Sequence, residues 1–344
     1  MSSLKDLLDT ALAVRATLVT DKHTSAFRLF NGFLEGFPAV CLDIYAQTAL
    51  IHDYSAVPDS GTMAVVKSWI LENLPWVRCI LLKTRQQHTM ESTQFSNAQT
   101  RGHILHGSHP DDRLCENGVW YALDLVMNRD ASFYLDTRNL RSWAKRKLAG
   151  KTVLNTFAYT GSLGVAALAG GATQVIQLDR NARYLALARK SCELNGFSIS
   201  NRDFLAQDFF PAIGQLKHSQ QTFDCVFLDP PFFASTNKGR VDLETDSTRL
   251  INKVRPLINH GGWLVAINNA LFLSGQEYLA ALQALCADGY LEIEELINVP
   301  LDFSGYPQTR LGQPPYDPAP FNHSTKIAVL RVRRETASTY PQGT

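Results

Sequence analysis

Asn155-Thr156-Phe157-Ala158-Tyr159-Thr160-Gly161-Ser162-Leu163-Gly164 joins an apolar run to a run of small helix formers, and its reading decides the fold. Thr152 to Phe157 has the content of a buried strand, and Gly164 to Gly170 lies in the helix that follows. A strand turning into a helix through glycines and small residues lets backbone approach a ligand closely. In a doubly wound sheet this turn is where nucleotides sit. A dinucleotide fingerprint requires GxGxxG, but Ala158 stands at the first glycine position and only Gly161 and Gly164 remain. That weakens a nicotinamide dinucleotide reading. On this motif alone, a turn that merely packs helix on strand stays open.

Outward from the turn the alternation continues, as in a parallel sheet with helices on both faces. Gln174 to Leu178 reads as the second strand, and Ala182 to Asn195 as a helix stopped by Gly196. Cys225 to Leu228 and Trp263 to Asn268 are further strands, with helices near Leu243 to Ile258 and Gln276 to Asp288. Two late strands, Leu291 to Val299 and Ile327 to Val332, bring the count to roughly seven. The first third is different. Leu4 to Ala16 reads as a helix able to pack on its neighbours or mediate self-association, residues 26 to 55 as hairpins, and Met63 to Leu74 as a helix closed by Pro75 before a strand at Arg78 to Leu82. Gln86 to Glu116 is polar, without clear period, and reads as an exposed connection; Ser304 to Pro320 is a Pro/Gly-rich loop.

A chain of 344 residues is expected to form two domains. With 45% hydrophobic and 19% charged residues, the composition is that of a globular protein, and no apolar run approaches the length of about 20 that a membrane helix needs. The N-terminus lacks the basic and apolar sequence of a secretory signal, so a cytoplasmic location is expected. A formal charge of +1 supplies no global drive toward phosphates, leaving any nucleic-acid affinity to a local patch. The six cysteines are scattered without metal-site spacing, so no metal is expected.

Three acidic positions follow predicted strands. Asp179, with Arg180 beside it, ends the second strand, where a carboxylate can accept both ribose hydroxyls of a nucleoside. Asp208 falls where the third strand should end; it could reach an adenine amino group, and is equally well placed to cap a helix. Phe223-Asp224-Cys225-Val226-Phe227-Leu228-Asp229-Pro230-Pro231-Phe232-Phe233 runs from an apolar strand into an acid, two prolines and two aromatics. The prolines fix φ and remove donors, presenting Asp229 and the Pro230 carbonyl rigidly. Phe232 could stack on a planar substrate.

These residues, in this order, resemble the methyltransferases that carry an Asp-Pro-Pro-Phe/Tyr motif, and most of all the bacterial 23S ribosomal RNA methyltransferases that make 5-methylcytosine or 7-methylguanine. The resemblance rests on Phe133-Tyr134-Leu135-Asp136-Thr137-Arg138, Asn155 to Gly164, Leu194-Asn195-Gly196 and Leu228 to Phe233, with Gly32 to Tyr45 similar to the start of that family's central domain. It implies a doubly wound, seven-stranded α/β Rossmann-like methyltransferase domain over 129–344, preceded by a smaller α+β domain for substrate recognition over 1–128. It also implies S-adenosylmethionine as cofactor, which lacks a pyrophosphate and tolerates a looser turn, and a base nitrogen of ribosomal RNA as acceptor. Phe133, Asp136 and Arg138 would hold the methionine end; Asn155, Phe157, Tyr159, Thr160, Gly161, Asp179, Arg180, Asp208 and Asp229 would border the cofactor. Asp229, Pro230, Pro231 and Phe232 would orient the acceptor. Arg138 opens a basic stretch with Arg141, Lys145, Arg146, Lys147 and Lys151, read either as an RNA-facing patch or a solvated helix face.

Two features depart from the family pattern. Members that methylate cytosine C5 carry a cysteine after the fifth strand, where this chain reads Ala266-Ile267-Asn268-Asn269-Ala270; Cys225 reads as a core thiol. About 25 residues precede the central-domain match, fewer than the small RNA-binding domain of many relatives occupies. Alternatives are a methyltransferase for a protein side chain or small molecule, and a nucleoside- or RNA-binding module without catalysis. A homodimer is compatible with the sequence. His323 reads as structural.

Overall fold

The computed structural model describes residues 3–334 except 21, 58, 86–101, 128–129, 232 and 237–238, and of 233–236 and 239–246 the backbone alone. Phe232 therefore lies outside the described residues. The chain forms two compact units, and the division is not a single cut: Met1–Ser142, Ala186–Ser198 and Val299–Pro314 make one, and Trp143–Leu185, Ile199–Asn298 and Pro315–Thr344 the other.

In the first unit, α1 (Leu4–Val14) starts at Ser3, whose hydroxyl accepts from the Asp6 amide while Asp6 reaches back, a reciprocal cap. Strands β1 (Ala26–Asn31), β2 (Val40–Tyr45), β3 (Thr48–Asp53), β4 (Cys79–Thr84) and β5 (His103–His106) form a sheet in that order. Helix α2 (Ser60–Asn73), capped by Asp59, connects β3 to the parallel β4. Period-two alternation sends Val40, Leu42 and Ile44 into one core with Leu8 and Ala11 of α1 and Met63, Val66, Trp69 and Ile70 of α2. The intervening Cys41 and Asp43 are also buried, and Asp43 pairs with Arg28 and His52. Burial costs an ionised carboxyl, but the Arg28 guanidinium and the His52 imidazole outweigh it and hold Asp43 far below the usual range.

The segment read as an exposed connection up to Glu116 in fact contains two strands, β5 and β6 (Arg113–Glu116). β6 pairs with β7 (Val119–Ala122) across Asn117-Gly118, both at positive φ. That Asn-Gly pair is the type I′ hairpin signal.

The second unit contains the larger sheet. After α3 (Arg138–Lys147) come β8 (Thr152–Thr156), α4 (Ser162–Ala169), β9 (Gln174–Asp179), α5 (Ala182–Leu194), which is divided between the units, β10 (Phe204–Ala206), α6 (Phe209–His218), β11 (Phe223–Leu228), the paired β12 (Phe233–Thr236) and β13 (Gly239–Asp242), α7 (Leu243–Val254), β14 (Ile258–Asn268), α8 (Gly275–Cys286), β15 (Leu291–Leu296) and β16 (Lys326–Val332), while α9 (Leu301–Ser304), between β15 and β16 in the chain, belongs to the first unit. The strand order is β10-β9-β8-β11-β14-β16-β15. The doubly wound, seven-stranded α/β expectation holds, with one feature the periodicity did not reveal: β16 inserts antiparallel between β14 and β15. The chain moves outward from β8 to β10, then returns to β11 on the other side. That reversal opens a crevice at the C-terminal ends of β8 and β11, where ligands of such sheets bind.

Candidate active site

The register sets three candidate residues side by side at that edge. Thr156 pairs with Leu178 on β9 and with Leu228 on β11, so Phe157, Asp179 and Asp229 each stand one residue beyond a paired position. Asp179 and Asp229 are separated by two strand spacings, about 10 Å. A ligand lying across β8 can be addressed by both.

The turn after β8 is strained. Phe157 and Tyr159, neither a glycine, adopt φ of 52° and 50°, and Gly161 follows at 75° as the residue before α4. Side chains with a Cβ rarely occupy this region, and such strain gathers at ligand sites where the surroundings enforce it. The enforcing contacts are visible. The Asn155 side chain, fully buried, donates to Gln177 Oε1, and Gln177 Nε2 donates to the Gly161 backbone carbonyl. Thr156 Oγ1 donates to the Phe227 carbonyl, fastening β8 to β11. Asn155, expected to border the cofactor, and its neighbour Thr156 thus brace the turn from beneath. Thr160 is buried, and Tyr159 packs edge-on against Tyr184 at 4.6 Å.

Asp179 accepts from the Tyr159 amide at 2.9 Å and the Asn181 amide at 2.8 Å. A carboxylate has about four acceptor positions, so capacity remains for two hydroxyls. Burial raises its pKa, opposed by those two amides and by Arg180, which is itself exposed. Asp208 caps α6 by accepting from the Phe210 amide at 3.2 Å, so the capping role is the one observed for it. Phe209, the first residue of α6, stacks on Phe157 at 4.7 Å. Sequence reading missed this pair because the partners are 52 residues apart in the chain.

Asp229 is half-buried, Pro230 buried and Pro231 exposed. Burial, and then the charge of the Asp229 carboxylate, push the phenol of the buried Tyr278 upward. Beyond β14, the Asn268 side chain accepts from the Ala270 amide, and no cysteine stands there. Cys225 is buried within β11, its thiol pushed up by burial, which makes it a core residue. His323 accepts the Thr325 amide within its own turn.

The remaining candidates belong to the first unit. Phe133 is buried against Tyr121, with the Arg141 guanidinium 4.0 Å above its ring. Arg141 is itself buried, held by Glu116 through two bonds of 2.7 and 2.8 Å, which removes it from any RNA-facing patch. Arg138, expected to grip a cofactor carboxylate, donates to Asp302 and to the Ala26 carbonyl. Asp136 is half-buried. Of the basic stretch, Arg146 and Lys147 are exposed and Lys145 and Lys151 half-buried.

At the ends of β8 and β9 in the second unit, a carboxylate with remaining acceptor capacity, a strained turn and the Phe157–Phe209 stack are gathered together. Among the described residues, no group of three His, Cys, Asp or Glu side chains could hold a metal ion, and no helix is long and apolar enough to cross a membrane.

Residues 104–307 match the family model described as S-adenosylmethionine-dependent methyltransferase. The chain is 29% identical over 314 residues to ribosomal RNA large subunit methyltransferase I of Aliivibrio fischeri, covering 88% of this chain and 76% of the relative. It is 30% identical over 285 residues to the protein of that name from Shewanella amazonensis, covering 82% and 69%. A methyltransferase crystallised as a complex with SAH superposes with a TM-score of 0.80 at 23% identity, over 96% of this chain and 83% of that one, a likeness of fold.

Proposed function

Because this chain belongs to the S-adenosylmethionine-dependent methyltransferase family, in the group of ribosomal RNA large subunit methyltransferase I, we propose that it methylates a base nitrogen of ribosomal RNA. Residues 1–128 serve recognition of that RNA, and 129–344 carry the transfer. The observation that carries this reading is the register: Asp179 and Asp229 flank the strained Phe157 turn at the switch point of the sheet.

S-adenosylmethionine, when bound, supplies an electrophilic methyl group on a sulfonium. The chain's task is then to align a nucleophile about 3 Å from that carbon and keep water out. In this reading Asp179 accepts the ribose hydroxyls, while the backbone of Phe157 to Gly161 lines the nucleoside. Asp229 and the Pro230 carbonyl accept hydrogen bonds from the acceptor base, turning its nitrogen lone pair toward the methyl group. Phe232 follows in the motif and is assigned the stacking role by sequence alone.

Nitrogen is favoured over cytosine C5 by the cysteines. C5 transfer needs a thiolate to attack the ring, yet the stretch after β14 holds no cysteine, and Cys225 is a buried thiol within β11.

The test is transfer of labelled methyl from S-adenosylmethionine to RNA from cells lacking the gene, with nucleoside mass spectrometry. Label in a methylguanine or methyladenine is expected. Label in 5-methylcytosine overturns the nitrogen assignment. No label, with cofactor bound in the same buffer, overturns RNA as acceptor.

A further inference from the structure

Two exposed aromatics stand at the same edge of the large sheet. Phe272, 56% exposed, follows β14, and Tyr316, 46% exposed, lies on the segment leading to β16; their rings meet edge-on at 5.7 Å. Leu271 beside them is 42% exposed. Surface aromatics are normally single, whereas this cluster is fixed from below. Lys326, fully buried, directs its ammonium at three carbonyls: Ala270 at 2.9 Å, Leu273 at 3.0 Å and Ser324 at 2.7 Å. One side chain thus ties the loop after β14 to the segment before β16. The Gly275 amide donates to the Asp317 carbonyl, and a Cβ on Gly275 would meet the Pro318 oxygen at 1.9 Å, so the two segments touch backbone to backbone.

The patch stands at the same edge of the sheet as the candidate site. Leu228 pairs with Ala266, which sets Asp229 level with Ile267 and the loop after β14 next to the Asp229-Pro230 turn. The buried Tyr278 of α8 packs against Phe321, on the segment that carries Tyr316, with ring centroids 5.8 Å apart.

The geometry points to Phe272 and Tyr316 as a stacking platform for an unpaired base of the RNA acceptor, adjacent to the base being methylated, with Lys326 as the positioning residue that holds it. This rests on RNA being the acceptor. Stacking suits the site because any base offers a π-face to an open ring, so the platform would grip neighbouring nucleotides without reading their sequence. A rigid platform also avoids the entropy of ordering a loop on binding.

The test uses the full chain, with Phe272→Ala/Tyr316→Ala, Phe272→Tyr and Lys326→Met variants, and unstructured RNA bearing 5-iodouridine for photocrosslinking. Expected are crosslinks at Phe272 or Tyr316, and a rise of roughly ten-fold in KM for RNA in the double variant, with S-adenosylmethionine affinity kept. Phe272→Tyr should restore KM, and Lys326→Met should raise it through looser loops. Unchanged KM with crosslinks mapped elsewhere overturns the platform while leaving RNA as acceptor. Unchanged KM with a loss of self-association identifies a surface for a second copy and likewise overturns it. If the unaltered chain methylates no RNA, the underlying reading fails first.

Discussion

Gln177 occupies the space that a side chain at position 164 would need: a Cβ on Gly164 would lie 2.3 Å from the Gln177 amide nitrogen. Gln177 also receives the Asn155 amide and donates to the Gly161 carbonyl. The glycine is required by packing, and the residue it accommodates is the brace of the strained turn.

Gly164→Ala should therefore destabilise the chain by about 1 to 3 kcal/mol, the usual cost of overpacking, and weaken S-adenosylmethionine binding because Gln177 must move. Thermal denaturation and titration calorimetry read the two effects. Adding Gln177→Ala should relieve the clash but deprive the Asn155 amide and the Gly161 carbonyl of their partner, so the double variant should lose less stability than the two single losses together and recover no affinity. Additive losses of stability would show that the two do not act as a unit.

Asp179 gives a pH prediction with a definite sign. Its pKa in the folded chain is raised by burial, against the two backbone amides and Arg180. A carboxyl raised on folding adds to stability below its unfolded pKa, and that contribution is lost as pH climbs through the folded value. Cofactor affinity runs the opposite way, since ribose hydroxyls donate to the ionised form. Affinity should fall on acidification, beginning at a higher pH than for an ordinary carboxylate. Asp179→Asn should remove that dependence and weaken binding by roughly 10- to 150-fold, the worth of charge-assisted hydrogen bonds at about 1.5 to 3 kcal/mol. An unchanged dissociation constant across pH would remove Asp179 from the site.

Much of this site was legible because it is local. Asn155 to Gly164 shows its turn through glycines and small residues, and Leu228-Asp229-Pro230-Pro231 shows its strand end through two prolines. What escaped the sequence is what folding brings together from afar. Phe157 meets Phe209, Asn155 meets Gln177, and β16 slips between β14 and β15. Arg138 and Arg141 show the same limit from the other side. Their spacing suggested a basic helix face, but Asp302 and Glu116, distant in sequence, take both guanidinium groups. A charge in a helix does not announce whether its partner is solvent or a buried carboxylate.

For Arg138 the observed partner can be weighed against the one implied by family resemblance. Asp302 is buried and accepts from Arg138 and from the Arg28 amide. Arg138→Ala should cost about 3 kcal/mol, near the lower end for breaking a buried pair, and leave the S-adenosylmethionine dissociation constant within about two-fold, well under the 1.4 kcal/mol of a ten-fold change. Chemical denaturation and calorimetry separate the outcomes. A ten-fold loss of affinity at full stability would return Arg138 to the methionine carboxylate.

The sharpest discrimination concerns Asp229, because its strand is adjacent to β8 on the side away from Asp179. If it orients the acceptor, its removal should spare the cofactor. Asp229→Asn keeps the shape but changes one acceptor oxygen into a donor, so the base meets a mismatched partner and its lone pair is no longer aligned. Turnover should fall by at least ~100-fold, as when a positioned polar group is lost from a reaction centre, with cofactor affinity within about two-fold. Single-turnover transfer and calorimetry on one preparation supply both numbers. Tyr278 sharpens the comparison: its phenol is pushed upward by burial and then by the charge of that carboxylate. Tyr278→Phe should leave cofactor affinity intact and reduce turnover less than Asp229→Asn does. Parallel losses of turnover and affinity in Asp229→Asn would assign that carboxylate to the cofactor and leave Pro230 as the acceptor's anchor.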